Sequence, residues 1–149
     1  MPVDVDVVVV GAGPAGCATT GLLAGRGHRV LLVDRSRFPR GKACGDGLTA
    51  TSIGLLARLG VTESLSGYRA GNGTRLTQDD VEHVRAAHGS SGRVVPRFEL
   101  DALLASRAAQ TGAQVVHGAR VLAPLLVGDE VRGVHLVQGG QARTVRARY

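Results

Sequence analysis

The sequence has no tryptophan and only two phenylalanines and two tyrosines, so aromatics make up 3% of its residues. A core must therefore be packed from valine, leucine and alanine, for which the 44% hydrophobic content is enough, and wholesale disorder is excluded. Its 149 residues leave room for one domain. Cysteine is scarce, with Cys17 and Cys44 alone. Two thiols form no metal pattern and no disulfide framework, which fits a reducing cytoplasm. Cys17, in the first turn of a helical stretch, reads as a small packing residue. No apolar run approaches the roughly 18 residues needed to span a bilayer. No basic segment precedes the first apolar run, so that run reads as a strand and not as a signal peptide. Lysine is nearly missing: Lys42 stands against 17 arginines, and the net charge is +6. The arginines are scattered and not interleaved with aromatics, so no nucleic-acid partner is expected. A basic face does suit a peripheral position at acidic lipid.

What is present is a strand, a glycine turn, a helix and a second strand. Val7 to Val10 feeds into Gly11-Ala12-Gly13-Pro14-Ala15-Gly16. Small residues at helical spacing follow, then Val30 to Val33, closed by Asp34. This is the βαβ fingerprint for the ADP half of a dinucleotide. Gly11 allows the tight turn, Gly13 lets backbone approach a pyrophosphate, and Gly16 lets the helix pack on the strand. The first-turn residues Pro14 and Ala15 belong to a helix N-terminus whose free N–H groups and dipole favour phosphate. Asp34 can accept hydrogen bonds from the ribose hydroxyls of adenosine. A lone GxGxxG is weak in a chain with 22 glycines, but here a strand precedes it, a helix follows, and the acid lies 18 residues beyond Gly16. A carboxylate at this point repels a 2′-phosphate, which disfavours NADP and leaves FAD or NAD.

Along the chain, strands are expected at 4–10 and 29–33 around a helix from Pro14 to about Gly25. Residues 35–47 form a long loop, and loops of that length are usually functional. Thr49, Thr51 or Ser52 caps a helix to about Leu59, ended by Gly60. Between 61 and 92 the pattern is weaker: a helical turn at Val61–Ser66, short strands near 74–86, and a loop at 89–92. A helix is expected over Glu99–Gln110, then a short strand at 114–117 and a three-stranded meander at 119–127, 130–137 and 141–148. His28, His83 and His88 have no partner pattern and receive no role. The expected fold is α/β: a Rossmann-like domain with a parallel sheet and an antiparallel three-stranded β-meander, incomplete at the C-terminus.

Three segments in order carry a family resemblance. They are GAGPAG with Asp34, then Phe38-Pro39-Arg40-Gly41-Lys42-Ala43-Cys44-Gly45-Asp46-Gly47-Leu48, then Arg97-Phe98-Glu99-Leu100-Asp101-Ala102-Leu103-Leu104. Together they resemble the N-terminal part of the geranylgeranyl reductase family of FAD-dependent oxidoreductases, within the wider p-hydroxybenzoate hydroxylase-like flavoprotein group. The second segment is the specific one. The resemblance implies that FAD is the cofactor, with Gly11, Gly13, Pro14, Ala15 and Gly16 receiving its pyrophosphate and Asp34 its ribose. It implies that Arg35 lies on the adenine side and that Val121 runs past the adenine. Lys42, Cys44, Gly45 and Asp46 would lie in the loop passing the flavin, and Arg97 would reach FAD from the start of its helix.

The implied activity is reduction of C=C bonds in an isoprenoid chain, of the geranylgeranyl or menaquinone-tail kind. The implied partners are an apolar small-molecule substrate and an electron donor of the NAD(P)H or ferredoxin type. The implied place is the cytoplasm, peripheral at the membrane. The resemblance names no catalytic residue. Family members continue past the meander, so residues 1–149 read as the FAD-binding domain of a larger flavoenzyme. The alternatives are a flavin-dependent monooxygenase or halogenase, or a non-catalytic truncated remnant.

Overall fold

The computed structural model describes residues 4–71, 73–86 and 92–149. The fingerprint folds as read: β1 (Val7–Val10), α1 (Pro14–Ala24) and β2 (Val30–Asp34). The remaining elements follow in order: β3 (Gly47–Leu48), α2 (Ala50–Ala57), a 3-10 turn (Glu63–Leu65), β4 (Ala70–Gly71), β5 (Gly73–Gln78), β6 (Val81–Ala86) and β7 (Gly92–Val94). Then come α3 (Arg97–Gln110), β8 (Gln114–His117), β9 (Ala119–Val127), β10 (Glu130–Gln138) and β11 (Gln141–Arg146).

Three layers result. The parallel sheet has the order β1–β2–β8, with Val7 opposite Val30 and Leu31 opposite Gln114. β2 is central and all five of its residues are buried, because both faces of the sheet are covered. Its alternation assigns the faces. Leu32 joins the cluster of Cys17, Leu56, Leu59, Leu100 and Leu104 on the helical side. Leu31 and Val33 join Val5, Ala119, Val134 and Leu136 on the other side, where the antiparallel sheet β11–β10–β9 packs. The meander expected at the end of the chain is thus the third layer of the core.

Several boundaries differ from expectation for physical reasons. α3 begins at Arg97 and not at Glu99, because the carboxylate of Asp46, 51 residues away in sequence, accepts the Arg97 N–H at 3.1 Å. α2 is capped by Thr49, whose hydroxyl accepts the Ser52 N–H at 3.1 Å. The weakly patterned stretch contains the hairpin β5–β6, turned by Asp79 and Asp80 at φ 47° and 65°. Acidic residues here do the work that Asn-Gly signals in most such turns. Of the expected loop at 89–92, Gly92 belongs to β7; residues 89–91, like His88, lie outside the described residues.

The last strand was expected to reach Arg148 but ends at Arg146. The residues after it leave the meander and run beside β1. Val5 and Ala147 form a parallel bridge, and the Val8 N–H donates to the Tyr149 carbonyl at 2.9 Å. Arg29 fixes the other edge of this corner. Its Nη2 donates to Asp6 Oδ1 at 2.9 Å and its backbone N–H to Oδ2 at 2.9 Å. The side-chain bond and then the backbone bond hold the Asp6 carboxyl down at about 2 against an ordinary 3.8. A carboxyl with a lowered folded-state pKa stabilises the fold while it is ionised. Its contribution is complete above pH 4 or so and is lost as pH falls toward about 2. Asp6→Asn is therefore expected to shrink the drop in urea midpoint between pH 5 and pH 2.5 (roughly the bounds of that window). An undiminished drop in the variant would assign the acid limb to other carboxylates.

Candidate cofactor-binding site

The C-terminal ends of β1 and β2 meet the N-termini of α1 and α3 along one groove of about 890 Å³. That is within the range of small-molecule and cofactor sites, about 300–1,000 Å³. Its position beyond the carboxyl ends of parallel strands is where α/β sheets bind ligands.

The glycine turn forms one wall. Gly11 has φ +100°, a backbone conformation that side-chain-bearing residues rarely adopt. A Cβ on Gly16 would lie 1.9 Å from the Gly11 carbonyl oxygen, so only glycine lets α1 sit this close to β1. Among the described residues, a Cβ on Gly13 would meet nothing nearer than Arg97 Nη2 at 4.0 Å. The space beside Gly13 is left open to the groove, as a close-approaching ligand requires. Pro14 occupies the first position of α1, and no side chain caps that helix. Its first-turn N–H groups are thus available to an anion. Cys17 donates from Sγ to the Ala12 carbonyl at 3.4 Å, and burial pushes its thiol up to about 12. It is a packing residue under the turn, as its position in the sequence suggested.

Asp34 closes β2 nearly buried. Its Oδ2 accepts the Ala12 N–H and its Oδ1 the Ser36 N–H, both at 2.7 Å. These bonds fix the carboxylate at the groove and leave each oxygen a further lone pair for a hydroxyl donor. Around it the groove is lined by Arg35, Arg40, Lys42, Arg97 and Arg120, five cations against one carboxylate. A field of that sign favours a diphosphate. Val121 lines the same groove from β9. Arg97 binds Asp101 through two parallel bonds, Nε to Oδ1 at 2.8 Å and Nη2 to Oδ2 at 2.9 Å. That pair raises the guanidinium's pKa further above its ordinary value, so Arg97 is a permanent cation.

Gly11, Gly13, Pro14, Ala15, Gly16, Asp34, Arg35, Lys42, Arg97 and Val121 therefore converge on one groove. Cys44, Gly45 and Asp46, expected beside them, are not among its lining residues. Asp46 turns away because it holds the start of α3: its carboxylate takes the Arg97 N–H, and its carbonyl takes the Val95 N–H at 2.8 Å. Its φ of 55° is the cost of that double contact. Cys44 is exposed, and its thiol is lowered by a backbone hydrogen bond from Asp46 and then by Arg97. Arg40 and Arg120 were missed. Arg40 was visible only as a letter of the Phe38–Leu48 segment, and nothing local distinguishes Arg120 among 17 arginines. Asp101 was visible only as a motif letter, yet it is 0% exposed at the back of the site. Among the described residues, no three His, Cys, Asp or Glu side chains cluster to hold a metal, and no helix is long and apolar enough to cross a membrane.

The fold and groove define a dinucleotide-binding domain. Comparison with known proteins gives the family: residues 4–149 match the FAD binding domain family, and the chain belongs to it. FAD is the cofactor of that family. Menaquinone reductase of Mycobacterium tuberculosis is 40% identical over 122 residues, covering 79% of this chain and 30% of that protein. The chain thus spans about three tenths of the length of these curated relatives. Among solved structures, a myxobacterial chondrochloren halogenase overlaps 99% of this chain and 36% of its own, with TM-score 0.92 and 26% identity. A geranylgeranyl bacteriochlorophyll reductase-like protein from Thermoplasma acidophilum overlaps 96% of this chain and 37% of its own, with TM-score 0.82 and 25% identity.

Proposed function

We propose that this chain is the FAD-anchoring domain of a longer flavin-dependent oxidoreductase that reduces C=C bonds in an isoprenoid chain, such as a geranylgeranyl group or a menaquinone tail. The observation that carries the anchoring role is the single groove in which the glycine turn, Asp34 and Arg97 meet. The substrate class is supported by the Phe38–Leu48 segment and by the 40% identity to a protein named menaquinone reductase. FAD supplies the hydride chemistry when bound. The chain's own residues hold it. The uncapped N-terminus of α1 and the arginines receive the diphosphate, and Asp34 orients the ribose. Arg35 and Val121 flank the adenine, and Lys42 stands on the loop leading toward the flavin. Cys44, Gly45 and Asp46 keep that loop against α3, with Asp46 as its anchor.

A substrate with a long apolar tail places the whole enzyme at a membrane surface, on its cytoplasmic side, with NAD(P)H or a ferredoxin-type protein as electron donor. A second reading, a flavin-dependent halogenase or monooxygenase, is favoured by the TM-score of 0.92 to a halogenase. Overlap of an anchoring domain reports a fold that serves many chemistries, so the loop segment weighs more.

Purified chain mixed with FAD and freed of excess is expected to keep the visible absorption of bound flavin. A colourless product would sink the anchoring role. In the complete polypeptide, mass spectrometry of a geranylgeranyl lipid after turnover is expected to show a gain of hydrogen only. A gain of oxygen or halogen would move the protein to the second reading.

A further inference from the structure

The charged side chains behind the groove form a ring that starts and ends at the glycine turn. The Ala12 N–H donates to Asp34 Oδ2 at 2.7 Å, and that oxygen is 4.0 Å from Arg40 Nη2. The same Nη2 is 3.3 Å from Asp101 Oδ2. Asp101 Oδ2 also accepts from Arg97 Nη2 at 2.9 Å, and Arg97 Nη2 lies 4.0 Å from where a Cβ on Gly13 would sit. One buried oxygen therefore joins two guanidinium groups carried by different segments, the loop after β2 and the first turn of α3.

Burying a carboxylate is costly unless it is paired, and the bidentate bond from Arg97 already pairs Asp101. Arg40 is an additional cation. It is packed over the Phe38 ring, 4.9 Å from its centroid, and Phe38 in turn lies against His117. The Arg40 side chain is 14% exposed and its Nε is buried, with no hydrogen-bond partner among the described residues. Leaving a buried N–H without an acceptor is unfavourable. Arg40 lines the groove, and an anion there is a natural acceptor.

We propose that Asp101 is a positioning residue that holds Arg40 and Arg97 together, so that both present N–H donors to one diphosphate in the groove, with Arg40 as a direct diphosphate ligand. This rests on the dinucleotide reading of the groove. The Asp101 clamp also ties the loop after β2 to α3, whether or not a ligand is bound.

Two substitutions, singly and together, and three probes test it on the 149-residue chain. Arg40→Gln leaves the Asp101–Arg97 pair in place. It is expected to weaken binding of ADP and of FAD about tenfold or more, the loss of one charge-assisted hydrogen bond. Adenosine, which has no phosphate, should bind the variant as it binds the parent. Asp101→Asn should weaken ADP more than Arg40→Gln does, and the double variant should lose less than the product of the two effects. Unchanged ADP affinity in Arg40→Gln, or a parallel loss of adenosine, overturns the diphosphate role. Independent effects in the double variant overturn the shared clamp.

Limited trypsin digestion without ligand gives the separate readout. Cleavage after Lys42 should be several-fold faster in Asp101→Asn, provided its circular dichroism matches the parent. An unchanged rate means that Asp101 does not hold the loop. If the parent chain binds neither ADP nor FAD, the dinucleotide reading and the diphosphate role fall together, and the digestion alone still decides whether the clamp exists.

Discussion

Gly16→Ala is expected to destabilise the protein by about 3 kcal/mol or more and to abolish flavin uptake, although it adds a single methyl group. The methyl carbon would lie 1.9 Å from the Gly11 carbonyl oxygen and 3.1 Å from its carbonyl carbon. Both are backbone atoms, so no rotamer change relieves the contact. Either α1 lifts away from the end of β1 or the glycine turn deforms. Each movement breaks the Cys17 contact to Ala12 and misaligns the first-turn N–H groups that face the groove. Gly13→Ala is the control. Its methyl would touch only Arg97 Nη2, at the ordinary distance of 4.0 Å. That variant should unfold at the parent urea concentration while losing FAD affinity, because the methyl stands where a diphosphate must approach. Urea midpoints and flavin absorbance retained after gel filtration separate the two effects. A Gly16→Ala protein as stable as its parent would show that α1 tolerates a different seat. A Gly13→Ala protein with parent affinity would remove the glycine turn from the diphosphate site.

The contrast between these glycines shows which parts of the site a sequence discloses. The β1–α1–β2 unit was legible because its determinants are local. Unbroken apolar runs, small residues at the helix period and an acid at a fixed offset all lie within about thirty residues, the span of one βαβ unit. The partners of that unit were not legible in the same way. Asp46 reads as a turn residue beside glycines, yet it fixes the first residue of α3 across 51 positions. Arg40 looks like any other arginine until Asp101 and Phe38 are seen around it. The hairpin at 73–86 was hard to read because its turn uses Asp79 and Asp80 in the left-handed region, where sequence patterns look for glycine or asparagine. The placement of the meander followed from alternation only once β2 was seen to be covered on both faces. Val134 and Leu136 point inward on β10, and they needed Leu31 and Val33 to face them. Local periodicity predicts an element; the surface that it meets is a property of the whole chain.

Asp34→Ala is expected to weaken FAD binding about 10- to 100-fold, and the structure makes this variant more than the loss of a ribose contact. The carboxylate carries two bonds within the chain, to the Ala12 and Ser36 N–H groups. Ala12 is fully buried, so truncation leaves its N–H without an acceptor at the centre of the glycine turn. Part of the loss in affinity must then come through the turn, and the ribose share needs its own measurement. Two ligands provide it. ADP-ribose and its 2′-phosphorylated form differ only where Asp34 is assigned. In the parent the carboxylate repels the added phosphate, so the unphosphorylated ligand should be preferred. In Asp34→Ala the repulsion is gone and Arg35 remains beside the groove. The preference should therefore narrow at least tenfold or reverse, whatever happens to affinity overall. Damage confined to the turn would weaken both ligands equally. An unchanged ratio would place the ribose elsewhere, and unchanged FAD affinity would remove Asp34 from the site altogether. Arg40 adds a further expectation, because it stands 4.0 Å from the same carboxylate. That guanidinium lies closer to Asp101, at 3.3 Å, and stays with the diphosphate when Asp34 is gone, so Arg40→Gln in the Asp34→Ala background should weaken both ligands alike and leave the narrowed preference in place.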